Sequence, residues 1–131
     1  MIKQYEKWLL KASDDLQFAK LGLENSFYSQ VCFLSQQCVE KSIKALIISE
    51  EKLYPKTHKI VDLFNQSKHA KNLLKNFKNK IKILDEFYIP TRYPDSIPGN
   101  YKDSLATEKD ANEVFEIASQ IYSTVYNFLT Y

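Results

Sequence analysis

QQCVEKSIKALII, residues 36–48, is the stretch whose reading decides the fold. It holds no Pro or Gly, and its Gln, Glu, Lys, Ala and Leu residues favour a helix. Set at helical spacing, Cys38, Val39, Ile43, Ala45, Leu46 and Ile47 cover more than half of the circumference. Gln37, Glu40, Lys41 and Lys44 share the narrow strip that remains, at i, i+3, i+4 and i+7. One neighbour cannot cover so wide an apolar arc, so the pattern predicts a central helix packed on several sides. The polar strip is then either a solvated edge carrying a Glu40–Lys44 pair or the wall of a cleft.

Working outward, the same helix extends back to a cap at Asn25 or Ser26 and forward to about Glu50. Before it, Ile2, Tyr5, Leu9, Ala12, Leu16, Ala19 and Leu23 recur at steps of three and four, giving a first long helix that stops near Gly22 or Asn25. The short connection between the two predicts an antiparallel hairpin. Leu10, Phe18 and Leu21 lie off the main stripe of the first helix and offer a second contact surface, for which homodimerisation is the simplest use. Pro55 ends the second helix region. Thr57 is a candidate cap for a short helix running from His58 to about Ser67.

A further helix is marked by Leu73, Leu74, Phe77, Ile81, Leu84 and Tyr88, and Pro90 closes it. Residues 90–101, PTRYPDSIPGNY, hold three of the four prolines and read as a loop. Thr107 and Asp110 form a variant capping box before a last helix with Ala111, Val114, Phe115, Ala118, Ile121, Tyr122, Val125 and Leu129 on one face. No strand pattern occurs. The expectation is an all-α, up-down bundle of four long helices and one short one, in one domain spanning residues 1–131.

The totals agree with a packed domain. A hydrophobic share of 44% with nine Tyr and eight Phe excludes a disordered chain. There is no apolar run long enough to cross a bilayer and no leader pattern, so a cytoplasmic location without membrane contact is expected. Cys32 and Cys38 fall on different sides of one helix, which predicts two buried, reduced thiols and neither a disulfide nor a metal site. Charge is uneven: residues 52–82 carry nine lysines against Asp62 alone, a net of +8, within a chain of net +2. Such an island suits a polyanion or an acidic partner, and it also suits plain solvation.

Arg92 is the single arginine among 18 basic residues. A chain that otherwise uses lysine places one planar fork where bidentate contact with phosphate or carboxylate has value. Tyr93, Asp95 and Tyr101 surround it in the loop, and Asp95 or Glu40 is its alternative, purely structural partner. His58 in a first helical turn would have free backbone N–H groups beside it, suited to an anion, and is chemically fit as a general base. The alternative is packing against Tyr54 and Pro55. His69, in a lysine-rich turn, is expected to face solvent. No phosphate loop, nucleophile elbow, dinucleotide loop or paired-Cys zinc signature is present, so no cofactor or metal is expected.

Taken together, Trp8 with Ala12 and Asp15-Leu16, then QQ-x-x-EK-x-x-KAL from Gln36, Lys56-Thr57-His58, and RYPD from Arg92 to Asp95 followed by Tyr101, resemble the HEPN family of small all-α bundles. The resemblance spans essentially the whole chain. It implies a dimer, recognition of a nucleotide or RNA, and pairing with a minimal nucleotidyltransferase in a two-gene toxin–antitoxin module. Some family members are metal-independent ribonucleases with an Arg followed a few residues later by a His. Here YPDSIPGNY follows Arg92 and no histidine occurs from there to the C-terminus, so a catalytic pair would have to be Arg92 with His58. The site expected from these readings comprises Glu40, Lys41, Lys44, His58, Arg92 and Tyr93. A phosphate-binding partner subunit, a toxin ribonuclease and a purely structural interaction subunit are the three roles open to it.

Overall fold

The computed structural model describes residues 3–53, 56–87 and 106–131, and every described element is helical. Helix α1 (Gln4–Glu24) and helix α2 (Tyr28–Ser49) form the hairpin. The short helices α3 (Ile60–Gln66) and α4 (Lys68–Leu73), a 3-10 turn (Lys75–Phe77) and α5 (Lys78–Glu86) follow, and α6 (Glu108–Thr130) ends the chain. Helix α2 packs against all five of the others, while α1 and α6 also touch each other. The wide apolar arc thus has the several neighbours that it demanded. Ile43, Leu46 and Ile47 are fully buried at its centre, joined by Leu63, Leu74, Leu84 and Ile121 from the surrounding helices.

The turn between α1 and α2 corrects the expected cap. Asn25 and Ser26 do not start α2; they stop α1. The Asn25 side-chain amide donates back to the Leu21 carbonyl, and Phe27 N–H donates to the Gly22 carbonyl at 2.9 Å. Ser26 takes the left-handed conformation (φ 65°) that this closure requires, so its hydroxyl is not available as a cap for α2. Gly22 also lets the last turn of α1 approach α2, since a Cβ there would lie 3.0 Å from the Val31 side chain.

Helix α2 ends in the same way. Lys52 N–H donates to Ile47 O and Glu51 N–H to Ile48 O, a Schellman closure with Glu51 at φ 61° in the place where glycine is favoured. The segment expected as a fourth long helix is instead α4, the 3-10 turn and α5 among its described residues. Lys71, Lys75, Lys78 and Lys82 stand at repelling helical spacing, and Asn72 and Asn76 add weak helix formers, so one continuous helix is disfavoured. The capping box of α6 is present, with Thr107 Oγ1 accepting from Asp110 N–H and Asp110 Oδ2 accepting from Thr107 N–H.

Candidate functional site

The polar strip of α2 is not a solvated edge. Glu40 is 3% exposed and Lys44 7% exposed, and Lys44 Nζ lies 3.1 Å from Glu40 Oε2. Two charges this deep are tolerable because they neutralise each other and because the Lys44 ammonium also sits over the Trp8 ring of α1, 5.2 Å from its centroid. One turn earlier, Lys41 is paired with Asp15 of α1 at 2.5 Å. Burial pushes the Asp15 carboxyl above its ordinary range, and the contact with Lys41 only partly offsets that shift. Lys41 therefore serves the hairpin seam and Lys44 the interior; neither presents a bare cation to a ligand.

His58 stands at the outer end of this arrangement. Its backbone carbonyl accepts from the Gln36 side-chain amide at 3.2 Å, and Gln37 donates to Gln36 Oε1 at 2.7 Å. Its ring Nδ1 lies 3.4 Å from Glu40 Oε1, a buried oxygen that accepts no hydrogen bond among the described residues. The imidazole itself is 66% exposed. A buried carboxylate thus faces the inner nitrogen of a histidine whose outer part reaches solvent. Glu40 lies beside both Lys44 and His58, whereas Arg92 and Tyr93 lie outside the described residues, as do Asp95 and Tyr101.

The expected role of the α3 N-terminus is corrected. Helix α3 begins at Ile60, so His58 precedes it and does not lie in its first turn. Thr57 Oγ1 accepts from Lys59 N–H and donates to Asp62 without capping the helix. The cap comes from α5: Asp85 accepts from Ile60 N–H at 2.7 Å and from Val61 N–H at 3.0 Å. The backbone donors that could have gripped a phosphate are already engaged by a carboxylate. A cleft of about 680 Å³ opens beside them, lined by Lys56, His58, Lys59, Lys82 and Glu86 among others.

His69 is the other histidine to be relocated. It packs its ring 4.8 Å from that of Phe128 on α6, half-buried, where a solvent-facing position was expected. Cys32 and Cys38 are fully buried free thiols, and burial pushes both up to about 12. Among the described residues no group of three or more His, Cys, Asp or Glu side chains could hold a metal ion, and no helix is long and apolar enough to cross a membrane.

With this geometry in place, comparison with known proteins decides the family. The HEPN domain model matches residues 5–128. The chain belongs to the HEPN family. MJ1304 of Methanocaldococcus jannaschii, provisionally named a toxin, is 29% identical over 98% of this chain and 90% of its own length. The crystal structure of TT1696 from Thermus thermophilus superposes with a TM-score of 0.84 at 28% identity, covering 96% of this chain and 98% of that one. ST0689, an archaeal HEPN homologue, matches with a TM-score of 0.77 at 29% identity over 98% of this chain and the whole of the other.

Three residues of this HEPN chain shape the site without having been singled out for it. Gln36 reads as an ordinary helical Gln, but its full burial lets it hold the His58 backbone. Asp85 carries no local signal for capping a helix 25 residues earlier. Trp8 was visible as an early tryptophan within a family pattern, but its contact with Lys44 follows from the hairpin register alone.

Proposed function

We propose that this HEPN chain is a nucleotide- or RNA-phosphate-binding subunit and the partner of a minimal nucleotidyltransferase in a toxin–antitoxin-like pair. The observation that carries this reading is the exposed His58 imidazole on a cleft lined by Lys56, Lys59 and Lys82 together with Asp62, Asp85 and Glu86, with the buried Glu40 carboxylate at its inner nitrogen. A histidine backed by a carboxylate presents its outer nitrogen to a ligand in a defined orientation. The reading gives Arg92 a bidentate phosphate contact and Tyr93 a supporting one. Leu10, Phe18 and Leu21, each more than half exposed along α1, serve a homodimer contact. The toxin name of the Methanocaldococcus relative supports a toxin–antitoxin setting, and a cytoplasmic location accompanies it.

Calorimetric titration of ATP tests the site. Arg92→Lys should weaken binding about 5- to 150-fold, the equivalent of ~1–3 kcal/mol for a lost charged bidentate contact, with folding intact. Affinity unchanged in both Arg92→Lys and His58→Ala would overturn the assignment.

The Glu40–His58 contact also favours a second reading, a metal-independent ribonuclease. With Nδ1 facing Glu40 at 3.4 Å, Nε2 would take the proton of a 2′-hydroxyl as its oxygen attacks the adjacent phosphorus. Arg92 would stabilise the charge on the phosphorane, and the imidazole would return the proton to the 5′-oxygen as the P–O5′ bond breaks. RNA incubated with chelator present separates the two. Cleavage by the wild type that His58→Ala and Arg92→Ala both abolish would make the chain an enzyme; no cleavage above the variants leaves the binding role. A purely structural subunit would bind no nucleotide at all.

A further inference from the structure

The inner nitrogen of His58 faces a carboxylate oxygen that no hydrogen bond satisfies among the described residues. Glu40 is 3% exposed and gives Oε2 to the Lys44 ammonium at 3.1 Å. Its other oxygen, Oε1, is buried, and His58 Nδ1 lies 3.4 Å from it. A bare lone pair on Nδ1 would point at a buried anion, so this nitrogen carries the ring proton. In the neutral imidazole Nε2 is then an acceptor, and its lone pair repels a phosphate oxygen. An anion at the outer nitrogen therefore requires a second proton. Imidazolium is the one form of the ring that donates to Glu40 and to an anion together.

The rest of the cleft carries no net charge of its own. Lys56 and Lys59 before α3 and Lys82 on α5 stand against Asp62 on α3 and Asp85 and Glu86 on α5, and the six charges cancel. On α2 the Glu40–Lys44 pair cancels as well. Lysines and carboxylates ordinarily hold their charge between about pH 6 and 8, where histidine changes its own. Burial raises the Asp85 carboxyl, and the Val61 and Ile60 N–H groups offset part of that shift. A proton on Nε2 is thus what turns the cleft lining positive.

We infer, building on the phosphate-binding reading, that anion binding in this cleft takes up a proton from solvent, with Glu40 selecting the imidazolium form of His58. Nδ1–H then donates to Glu40 and Nε2–H to a phosphate oxygen. In this form Nε2 cannot accept the proton of a 2′-hydroxyl, so binding and the ribonuclease reading use different states of one ring. Affinity rises as pH falls through the histidine range and levels off once the free ring is charged.

Calorimetric titration of ATP at about pH 7.5, in buffers of different ionisation heat, counts the protons exchanged. ATP held among cations loses protons if it exchanges any, so uptake has its source in the protein. The wild type should take up as much as about one proton, and log K should fall by up to about one per pH unit above that pH. In the ATP complex the two His58 ring nitrogens should show the matched 15N shifts of imidazolium, with His69, packed against Phe128, as the internal reference. Glu40→Gln combined with Lys44→Met removes the carboxylate without stranding the lysine. The amide that it introduces can donate to Nδ1, so a neutral ring can offer Nε2–H, and ATP should bind without proton uptake.

ATP binding by the wild type with no uptake, or with the split nitrogen shifts of a neutral His58, would overturn the inference and leave the phosphate site standing. Equal uptake in the double variant would overturn the role of Glu40 and move the proton to another group, such as Asp85. No ATP binding by the wild type at any pH across the histidine range would remove the phosphate-binding reading itself.

Discussion

At the scale of single residues, Glu40 does two things that pull against each other. It neutralises a lysine 7% exposed, and it turns its second oxygen toward His58 without receiving a hydrogen bond there. Glu40→Gln keeps the shape but leaves Lys44 charged and buried, which costs on the order of 3–5 kcal/mol. Adding Lys44→Met removes the stranded charge and should recover most of that loss, because a well-packed apolar group can replace a buried pair. Urea unfolding of both variants reads the difference as a shift in midpoint with an unchanged slope. A double variant as unstable as Glu40→Gln would mean that Glu40 stabilises the fold through something other than Lys44. The pair was legible in the sequence as i, i+4 spacing, but its burial was not. The strip looks solvated on a helical wheel because Trp8 and residue 58 come from segments that only the tertiary fold brings against it.

At the scale of elements, the chain ends α1 and α2 with left-handed residues that are not glycine, Ser26 and Glu51. Glu51 at φ 61° closes α2, where a side chain costs roughly 1 kcal/mol relative to glycine. Glu51→Gly is expected to raise stability by about that amount in thermal unfolding; a loss of stability would show that the Glu51 side chain has a role beyond the turn. These endings explain the misplaced cap at Asn25 and Ser26, since Asn and Ser suit a helix stop and a helix start alike and the sequence cannot rank the two. Helix α4 is anchored through Glu50, which accepts from Ser67 Oγ and from Lys68 N–H. Burial raises the Glu50 carboxyl, but the Ser67 hydroxyl and the Lys68 and His69 N–H groups outweigh that and hold it below its ordinary 4.5. The folded form therefore titrates below the unfolded one. Its stabilisation is complete above pH 4.5 and disappears as pH falls through the lower folded value. Glu50→Gln should flatten the acid limb of a stability–pH profile, and an identical acid limb would show that Glu50 does not set it.

At the scale of the whole molecule, the all-α class and the central place of α2 were legible because amphipathic periodicity is a local property of the sequence. The break of residues 68–86 into three pieces was less so, because apolar periodicity continues through it while lysine repulsion and asparagine interrupt the backbone. The Asp85 cap is a contact between distant segments and leaves no trace in either one. The candidate site divides along the same line: its residue types could be named from the sequence, but the burial that neutralises Lys44 and the occupied α3 N-terminus could not. The central claim is that ligand phosphates meet this HEPN chain at the His58 cleft. A two-dimensional NMR titration with ADP tests it most directly, following amide and imidazole signals across the domain. Progressive shifts are expected at Lys56, His58, Lys59 and Lys82, with Leu10, Phe18 and Leu21 on α1 unmoved. Shifts confined to α1, or none at millimolar ADP, would contradict it.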